Sequence, residues 1–560
     1  MLKNLLTKSK LLTIISLFFG FFVASLNIIF FLPIRTIVHD SISWVLVGVA
    51  PLINLGLPYK NYFENKPPGL YLIIFLWSKL FGSSDTSFFV MHCLVLFILV
   101  VLICLLFRKI NTSFLILPSI ICSFIITFAP FFTDFIISSE YLALVFSLGG
   151  LLILLYKKGS PIALFLSTLL IFLSSQIRDT FGPTIICLIP VLFFYLLKKG
   201  SIRKFLIPSL AGSLTGLAII ISYLVILGVL AEYIEVLSYK KLAFSVFDFQ
   251  LIISNFYLNV HAILSAIFAI KLYVLTLPLI AALLIAVDII FIRKLISFKL
   301  SRPHLSLSIT IQKYSGLFNL QRSVDTMIIL LFILGNYIGL ALLADPEVGS
   351  HRIIQVVLSS TILIFLINLS YFNSLRSILN KMLPSRHAGL ILTNIVFFSL
   401  TTLFTFPRID IFRSYGVKSM PNKIRSSVLI DNSDKKIYEF IAENTNQEDC
   451  ILHYYGWAVG KTYYYSKRRP CTKYFFPAQI IKYPKYLNDL KEELKTNPPR
   501  LIYYQTDGAN VDVEKFEREA VNLAGIVNKC YKSTSYKSIY LPKEDSTKKF
   551  NECYRSFFPQ

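Results

Sequence analysis

The first polar interval of the sequence contains the residues best suited to chemistry. It runs from His39 to Gly69, directly after a long apolar run, and includes Asp40, Glu64 and Lys66. A carboxylate such as Asp40 can take a proton from an attacking hydroxyl as a general base, or help to bind a metal ion or a sugar hydroxyl. Considered alone, Asp40 is better explained as a surface residue that caps the helix starting at Ser41.

The lysine of this interval precedes two prolines. Glu64 and Lys66 are two positions apart, so an extended chain directs them to the same side. Pro67 and Pro68 each fix φ and hold the residue before them extended. A lysine held in this way suits the binding of a lipid phosphate as a point charge. The alternative is a lysine that only marks a membrane interface, with prolines that begin a helix.

Composition places the chain among polytopic membrane proteins. It has 560 residues, of which 55% are hydrophobic, and its mean hydropathy is +0.67. Lys and Arg number 55 against 31 Asp and Glu, a formal net charge of +24. The basic residues mostly flank apolar runs, which favours membrane orientation and attraction to anionic lipid. No motif indicates a nucleic-acid partner.

About eleven membrane spans are predicted. The first is an uncleaved span, long enough to cross a bilayer. Basic residues fall in every second loop, which places those loops and the N-terminus in the cytoplasm. The loop 34–85 and the C-terminus are then extracytoplasmic. The predicted spans lie near 11–33, 86–107, 113–130, 139–156, 161–176, 180–197, 205–229, 270–292, 326–344, 353–372 and 388–406.

Two apolar segments are predicted to lie on the outer surface. Gly69–Phe81 has only 13 residues, which is short for a span. Counting it as a span would place the basic loops outside, so it is interpreted as a juxtamembrane or re-entrant helix. The outer loop Glu232–Tyr257 mixes charged and apolar residues and is a candidate for a second surface helix.

Composition changes after Pro407, which divides a transmembrane domain, 1–407, from a polar domain, 408–560. Alternating helix and strand patterns in the second part predict a small extracytoplasmic α/β domain. Four cysteines in this part could form one or two disulfides outside the cytoplasm, and the sequence leaves their pairing open. They are Cys450, Cys471, Cys530 and Cys553. The predicted elements are helices at Lys435–Asn444, Leu487–Lys495 and Val513–Ala524, strands at Cys450–Tyr455 and Leu501–Gln505, and a strand or hairpin at Tyr531–Leu541.

Together these motifs resemble the C-type membrane glycosyltransferases, in particular the group that contains protein O-mannosyltransferases and the lipid A aminoarabinose transferase. The first loop matches best. A second outer loop supplies an acidic residue opening a span, for which Glu140 fits best and Asp134 is the alternative. The tail resembles the external α/β domain of that group. The matching positions are Asp40, Gly56, Pro58, Tyr59, Lys66-Pro67-Pro68 and Gly349-Ser350-His351-Arg352.

The resemblance implies transfer of a sugar, with inversion, from a polyprenyl-phosphate donor to a lipid, glycan or protein acceptor on the outer face of the cytoplasmic membrane. It makes Asp40 the base, and gives Glu140 or Asp134 a part in positioning the donor or acceptor. Three cations would neutralise the departing lipid phosphate, and three further residues are candidate substrate contacts. The cations are Lys66, Arg178 and Arg352, and the candidate contacts are Tyr59, Glu64 and His351.

Two positions depart from the pattern of that group. Ser41 stands where a second acidic residue often follows the first, and Asn61 replaces the usual Asp after Pro-Tyr. Ser41 leaves a two-carboxylate metal site at the first loop open, so no cofactor is assigned and a divalent metal remains possible. Asn61 is expected to matter little.

Several alternatives stay open on sequence alone. Many spans with outer carboxylates would also suit a transporter or flippase of lipid-linked glycans, although such proteins favour paired repeats and broken helices. A polysaccharide polymerase or ligase is a third reading. Arg178 and Asp179 could form a simple interfacial ion pair. The tyrosine clusters at 454–457 and 463–465 could stack on sugars, although core or interface roles are commoner.

Overall fold

The computed structural model describes residues 18, 40–110, 138–156, 160–186, 203–243, 328–339 (without 330 and 337), 432–454, 459–475, 480, 483–504, 522–543 (without 537) and 547–558. The backbones of Asp40 and Ser41 are included and their side chains are not.

Three helices are long and apolar enough to cross a membrane: Asp85–Leu106, Ser139–Tyr156 and Arg203–Ile226. Each has 18 to 24 residues, close to the roughly 20 that a bilayer requires. They coincide with three predicted spans. A fourth helix, Pro161–Ile177, coincides with the predicted span at 161–176 and is apolar but shorter than these three. Seven of the helices described before residue 432 are α1 (Asp40–Val49), α2 (Pro68–Phe81), α3 (Asp85–Ile110), α4 (Ser139–Tyr156), α5 (Pro161–Ile177), α6 (Arg203–Ile226) and α7 (Leu230–Ala243).

The total of eleven spans is not tested by these residues. The predicted spans near 113–130, 270–292, 353–372 and 388–406 lie outside the described part, as do nearly all of 11–33 and much of 180–197 and 326–344. The domain boundary predicted at Pro407 lies outside it as well.

Helices α4, α5 and α6 pack side by side. The Ser167 hydroxyl of α5 donates a 2.8 Å hydrogen bond to the Gly150 carbonyl of α4. Small residues at such contacts let two apolar helices approach closely, and a buried hydroxyl supplies a directional bond between them. This packing fixes the ends of α4 and α5 against each other, where the charged residues described below lie.

The described residues between 432 and 558 form the sheet unit, which contains a five-stranded mixed sheet of order β2-β1-β3-β5-β4. Strand β1 is parallel to β2 and β3, while β5 is antiparallel to β3 and β4. Two disulfides join Cys450 to Cys471 and Cys530 to Cys553. The elements are α8 (Asn432–Glu443), β1 (Cys450–Tyr454), α9 (Val459–Ser466), β2 (Arg469–Pro470), α10 (Pro484–Thr496), β3 (Leu501–Tyr504), α11 (Leu523–Cys530), β4 (Tyr531–Ser533), β5 (Ile539–Pro542) and α12 (Thr547–Arg555).

Most of the elements predicted in this region agree with these bounds. The helices at Lys435–Asn444 and Leu487–Lys495 correspond to α8 and α10, and the two predicted strands correspond to β1 and β3. The alternative of a hairpin at Tyr531–Leu541 is correct, since β4 pairs antiparallel with β5. The helix predicted over Val513–Ala524 lies largely outside the described residues.

The segments that flank helix α2 both contact the sheet unit. Five residues before the helix, the Phe63 amide donates to the Lys473 carbonyl at 2.8 Å. Two residues after it, the Tyr464 hydroxyl donates to the Ser83 carbonyl. The segments that flank a spanning helix would lie on opposite sides of the bilayer. Contact of both flanking segments with one polar unit agrees with the surface helix that the short length of Gly69–Phe81 predicts.

The sheet unit also contacts the first turn of α1. A methyl group built on Gly460 of α9 would lie 2.6 Å from the Ser43 hydroxyl oxygen and 2.9 Å from the Ser43 backbone. Glycine is therefore the residue that allows α9 to approach α1 this closely.

We expect Gly460→Ala to weaken the contact between α1 and α9. Overpacking costs about 1–3 kcal/mol, against a gain of about 1 kcal/mol from replacing glycine inside a helix. Hydrogen–deuterium exchange should show lower protection in α1 and α9. The matched control is Gly149→Ala in α4, where the added methyl would meet Leu170 at an ordinary 3.6 Å. Equal protection in the two variants would contradict the close approach.

Candidate functional site

Five charged residues from separate segments meet beside the first loop, and we call them the charged cluster. The first loop contributes one, the first turn of α4 another, the end of α5 two adjacent ones, and α7 the last. In chain order they are Lys66, Glu140, Arg178, Asp179 and Lys240.

The most deeply buried part of the cluster is an ion pair. A guanidinium nitrogen of Arg178 lies 3.2 Å from Oε1 of Glu140, and the two side chains are 4% and 2% exposed. The hydroxyls of Ser138 and Ser139 donate to Oε2 of Glu140 at 2.8 and 3.1 Å. Removing two charges from water is costly unless such hydrogen bonds accompany their attraction. The serines before α4 therefore help the pair to persist in the interior.

The second ion pair is more open. Nζ of Lys240 lies 3.1 Å from Oδ2 of Asp179, with the two side chains 14% and 41% exposed. Burial would raise the pKa of Asp179, but the charges of Lys240, Arg178 and Lys66 outweigh it and hold this pKa well below its ordinary value. Asp179 is therefore a carboxylate at neutral pH, surrounded by three cations.

The backbone explains why adjacent residues join different pairs. Arg178 is extended, with φ −145° and ψ 118°, and Asp179 follows at the start of the short 3-10 helix Asp179–Phe181. Successive side chains of an extended chain point to opposite sides. Arg178 therefore turns inward to Glu140, while Asp179 turns toward α7. Arg178 and Asp179 thus form ion pairs with different helices, although the Arg178 charge also contributes to the low pKa of Asp179.

Three contacts hold Lys66 in this neighbourhood. The Tyr59 hydroxyl donates to the Lys66 carbonyl at 2.9 Å, and Nζ of Lys66 lies 5.6 Å from the centre of the Trp44 ring. A methyl group on Gly69 would lie 2.5 Å from the Gln176 carbonyl oxygen. Only glycine therefore lets the start of α2 lie against the end of α5, two residues before Arg178.

Trp44 also relates Lys66 to Asp40. Asp40 is the first residue of α1, and Trp44 follows it by four positions. Trp44 therefore lies about one helical turn after Asp40, and the ammonium of Lys66 approaches α1 at this point.

Tyr59 and Glu64 are enclosed by the protein. Tyr59 adopts a left-handed φ of 63°, unusual for a residue other than glycine, and its ring packs on Tyr71 and Tyr233 at 5.7 and 5.0 Å. Glu64 is also buried and accepts a hydrogen bond from the Asn65 amide at 2.9 Å. The enclosure gives both residues a part in shaping the loop.

Asn61 has a local role as well. Its side-chain oxygen accepts a 2.8 Å hydrogen bond from the Leu57 amide, which closes the turn around Pro58. An aspartate could accept the same bond. Asn61, in place of the usual aspartate, therefore preserves the turn around Pro58.

Apart from the enclosed Tyr59 and Glu64, the predicted site residues divide into two groups. Lys66, Glu140 and Arg178 are brought together in the charged cluster. Asp134, His351, Arg352 and the side chain of Asp40 lie outside the described part of the chain.

Lys240 was not among the predicted site residues. Its sequence signal is weak: it is one of several charges in the loop after α6, and only the folded position of α7 brings it to Asp179. No group of three or more His, Cys, Asp or Glu side chains that could hold a metal ion occurs among the described residues. Within the tyrosine clusters, Tyr454 and Tyr463 are buried in the core, while Tyr455 and Trp457 lie outside the described part.

We expect Glu140→Gln to destabilise the protein strongly. The substitution leaves the Arg178 guanidinium buried without its carboxylate, a loss that typically costs about 3–5 kcal/mol. A clear fall in the thermal unfolding midpoint of the detergent-purified protein would measure it. The control is Glu439→Gln, which breaks the exposed Lys435–Glu439 pair on α8 and should change stability by about 0.5 kcal/mol or less. Similar midpoints for both variants would contradict the importance of the buried pair.

Comparisons with known proteins give limited similarity. No protein-family model matches the chain, and no curated protein matches it. Among solved structures, the chain is similar to the archaeal oligosaccharyltransferase AglB from Archaeoglobus fulgidus, in complex with an inhibitory peptide and a dolichol-phosphate. The TM-score is 0.46 with 11% sequence identity, and the match covers 87% of this chain and 69% of that chain. A similarity of this size does not assign the chain to a family.

Proposed function

We propose that this chain is an integral membrane glycosyltransferase that transfers a sugar from a polyprenyl-phosphate donor to a lipid, glycan or protein acceptor, with inversion. The observation that carries the proposal is the gathering of Lys66, Arg178 and Lys240 around one half-exposed position, beside the helix that Asp40 begins. The motifs of the first loop, which resemble those of C-type membrane glycosyltransferases, point to the same activity.

A phosphate leaving group explains the cations. When the bond between the sugar and the phosphate breaks, negative charge develops on the phosphate oxygen, and positive groups fixed beforehand stabilise it. Lysine ammonium groups serve as compact point charges for phosphate. In this proposal the two lysines of the charged cluster, Lys66 and Lys240, contact the phosphate. Arg178 adds its positive charge from the interior.

Asp40 is the proposed general base. It takes the proton of the acceptor hydroxyl while that oxygen attacks the sugar carbon. The approach of Lys66 to Trp44, one turn after Asp40 on α1, supports this role. The base must serve the acceptor while the cations serve the leaving phosphate at the other end of the reacting bond.

The remaining predicted residues have supporting roles in this proposal. Glu140 positions Arg178, with Asp134 as the alternative acidic residue of this region, and Arg352 and His351 are further candidates for donor and substrate contact. Tyr59 and Glu64 shape the loop around Lys66, in keeping with their burial. A divalent metal is left open, since the side chains of Asp40 and Ser41 lie outside the described part.

We further propose that the site faces the outside of the cytoplasmic membrane, with the N-terminus in the cytoplasm. Two disulfides in the sheet unit support an oxidising compartment for that unit. The first loop and the segment after α2 contact the sheet unit, so they share its side. The basic loops predicted from the sequence then lie in the cytoplasm. A polyprenyl-phosphate lipid would reach the cluster from the outer leaflet.

We expect Asp40→Asn to lower sugar transfer by about 10²- to 10⁴-fold, the usual contribution of a general base. Mass spectrometry of envelope glycolipids and glycans, from cells with the wild-type protein, the variant or neither, would identify the product and its loss. Asp449→Asn is the control, because this carboxylate lies in the sheet unit, where it accepts a hydrogen bond from the Asn446 amide. Full activity of Asp40→Asn in folded protein would remove Asp40 from the base role, and identical envelopes in all cells would contradict the proposed function.

We expect Lys66→Ala to raise the KM for the lipid donor by about 10- to 100-fold, since a hydrogen bond to a charged group contributes roughly 1.5–3 kcal/mol. The KM for the acceptor should change little. Steady-state kinetics in liposomes would separate the two, with exposed Lys435→Ala as the control. A change confined to the acceptor KM would show that Lys66 does not bind the phosphate.

A further inference from the structure

The charged cluster contains a carboxylate that the proposed reaction leaves without a role. Asp179 is the most exposed of the residues in the two ion pairs, at 41%, and lies 3.1 Å from Lys240. It is bonded in sequence to Arg178, which is turned away into the interior pair with Glu140. A carboxylate placed in this way occupies the position among the cations where another anion would bind.

The charges of the cluster have a definite balance. Lys66, Arg178 and Lys240 oppose the carboxylates of Glu140 and Asp179, which leaves one net positive charge. The low pKa of Asp179 means that this balance holds at neutral pH. Without the Asp179 charge, the cluster would have two net positive charges.

The two lipid phosphates of the proposed reaction differ in charge. The donor is a phosphodiester with one negative charge, whereas a phosphate monoester carries about −1.5 to −2 at pH 7. In the transfer, the bond between the sugar carbon and the phosphate oxygen breaks, and its electron pair stays on that oxygen. The acceptor oxygen forms the new bond to the sugar, and its proton goes to Asp40. The phosphate therefore gains one negative charge in the step.

We propose that Asp179 makes the site selective for the charge of a lipid phosphodiester, so that the lipid monophosphate formed by transfer is held weakly and leaves. This inference rests on the proposed function and assigns it a specificity-determining residue. The net charge of the cluster matches the donor. The product has an extra negative charge. The Asp179 carboxylate repels this charge, because the carboxylate and the bound phosphate both interact with Lys240.

Asp179 acts in this way through geometry as well as charge. The 3-10 helix Asp179–Phe181 directly follows α5, and Arg178 is anchored by its bond to Glu140. Asp179 therefore cannot move far from the cations while that pair persists. An anion that binds Lys240 must share it with Asp179 or displace this carboxylate from it.

The test compares three lipids on the purified full chain: polyprenyl monophosphate, its methyl phosphodiester, and uncharged polyprenol. We expect Asp179→Asn to tighten the binding of the monophosphate by about 5- to 10-fold, an effect reduced from the full Coulomb value because the site is half exposed. The affinity for the diester should increase by about twofold or less, and the affinity for polyprenol should stay the same. Asp179→Glu restores the charge and should return the ratio of the two lipid phosphates toward the wild-type value.

Glu232→Gln is the matched control, since it removes a carboxylate from the first turn of α7, the helix that carries Lys240. It should leave the monophosphate-to-diester ratio unchanged. An unchanged ratio in Asp179→Asn, or weaker binding of both phosphates, would overturn the selectivity and leave Asp179 as a support for Lys240. If the wild-type chain binds neither phosphate better than polyprenol, the proposed function itself fails. Binding of both phosphates with no preference changed by Asp179→Asn refutes this inference alone.

Discussion

The buried pair of Glu140 and Arg178 is the constraint on which the site depends. It joins the start of α4 to the end of α5 at a depth where neither charge has access to water. An uncompensated charge there would cost several kcal/mol, so the two helix ends cannot separate without a large loss of stability. Because Arg178 is fixed, the extended backbone behind it presents Asp179 to α7.

The first loop lies against this fixed point through a close approach of two backbone segments. Gly69 lies directly against the carbonyl of Gln176, so the start of α2 contacts the end of α5 without an intervening side chain. Tyr59, held in a left-handed conformation, bonds to the carbonyl of Lys66. The tight turn, the two prolines and the glycine together restrict the backbone position of Lys66, although its side chain is long and flexible.

The sheet unit completes the enclosure from the other side. It contacts the loop through Phe63 and Lys473, the segment after α2 through Tyr464, and the first turn of α1 through Gly460. Lys473 also bonds to Glu235 of α7 at 3.1 Å, so the helix that bears Lys240 is held by the same unit. The polar C-terminal region thus supports the loop, α2 and α7, the elements that border the charged cluster.

The sequence by itself determined the elements whose signals are local. Hydropathy and length predicted the spans seen as α3, α4 and α6, and the 13-residue length of Gly69–Phe81 predicted a helix too short to cross. Alternating patterns predicted α8, β1, α10 and β3 within a few residues. Residue types along the first loop singled out Lys66, and an acidic residue opening a span singled out Glu140.

Only the tertiary structure decided how the charges are paired. Neighbours in sequence, Arg178 and Asp179, could have bonded to each other, yet the extended backbone directs them to α4 and α7. Lys240 had no distinguishing local signal, because the sequence pattern of a charged loop is the same whether its lysine faces water or a carboxylate. The pairing of the four cysteines was likewise open until the sheet brought Cys450 to Cys471 and Cys530 to Cys553. Local patterns fix elements, whereas charge pairing and cross-links depend on which elements meet in space.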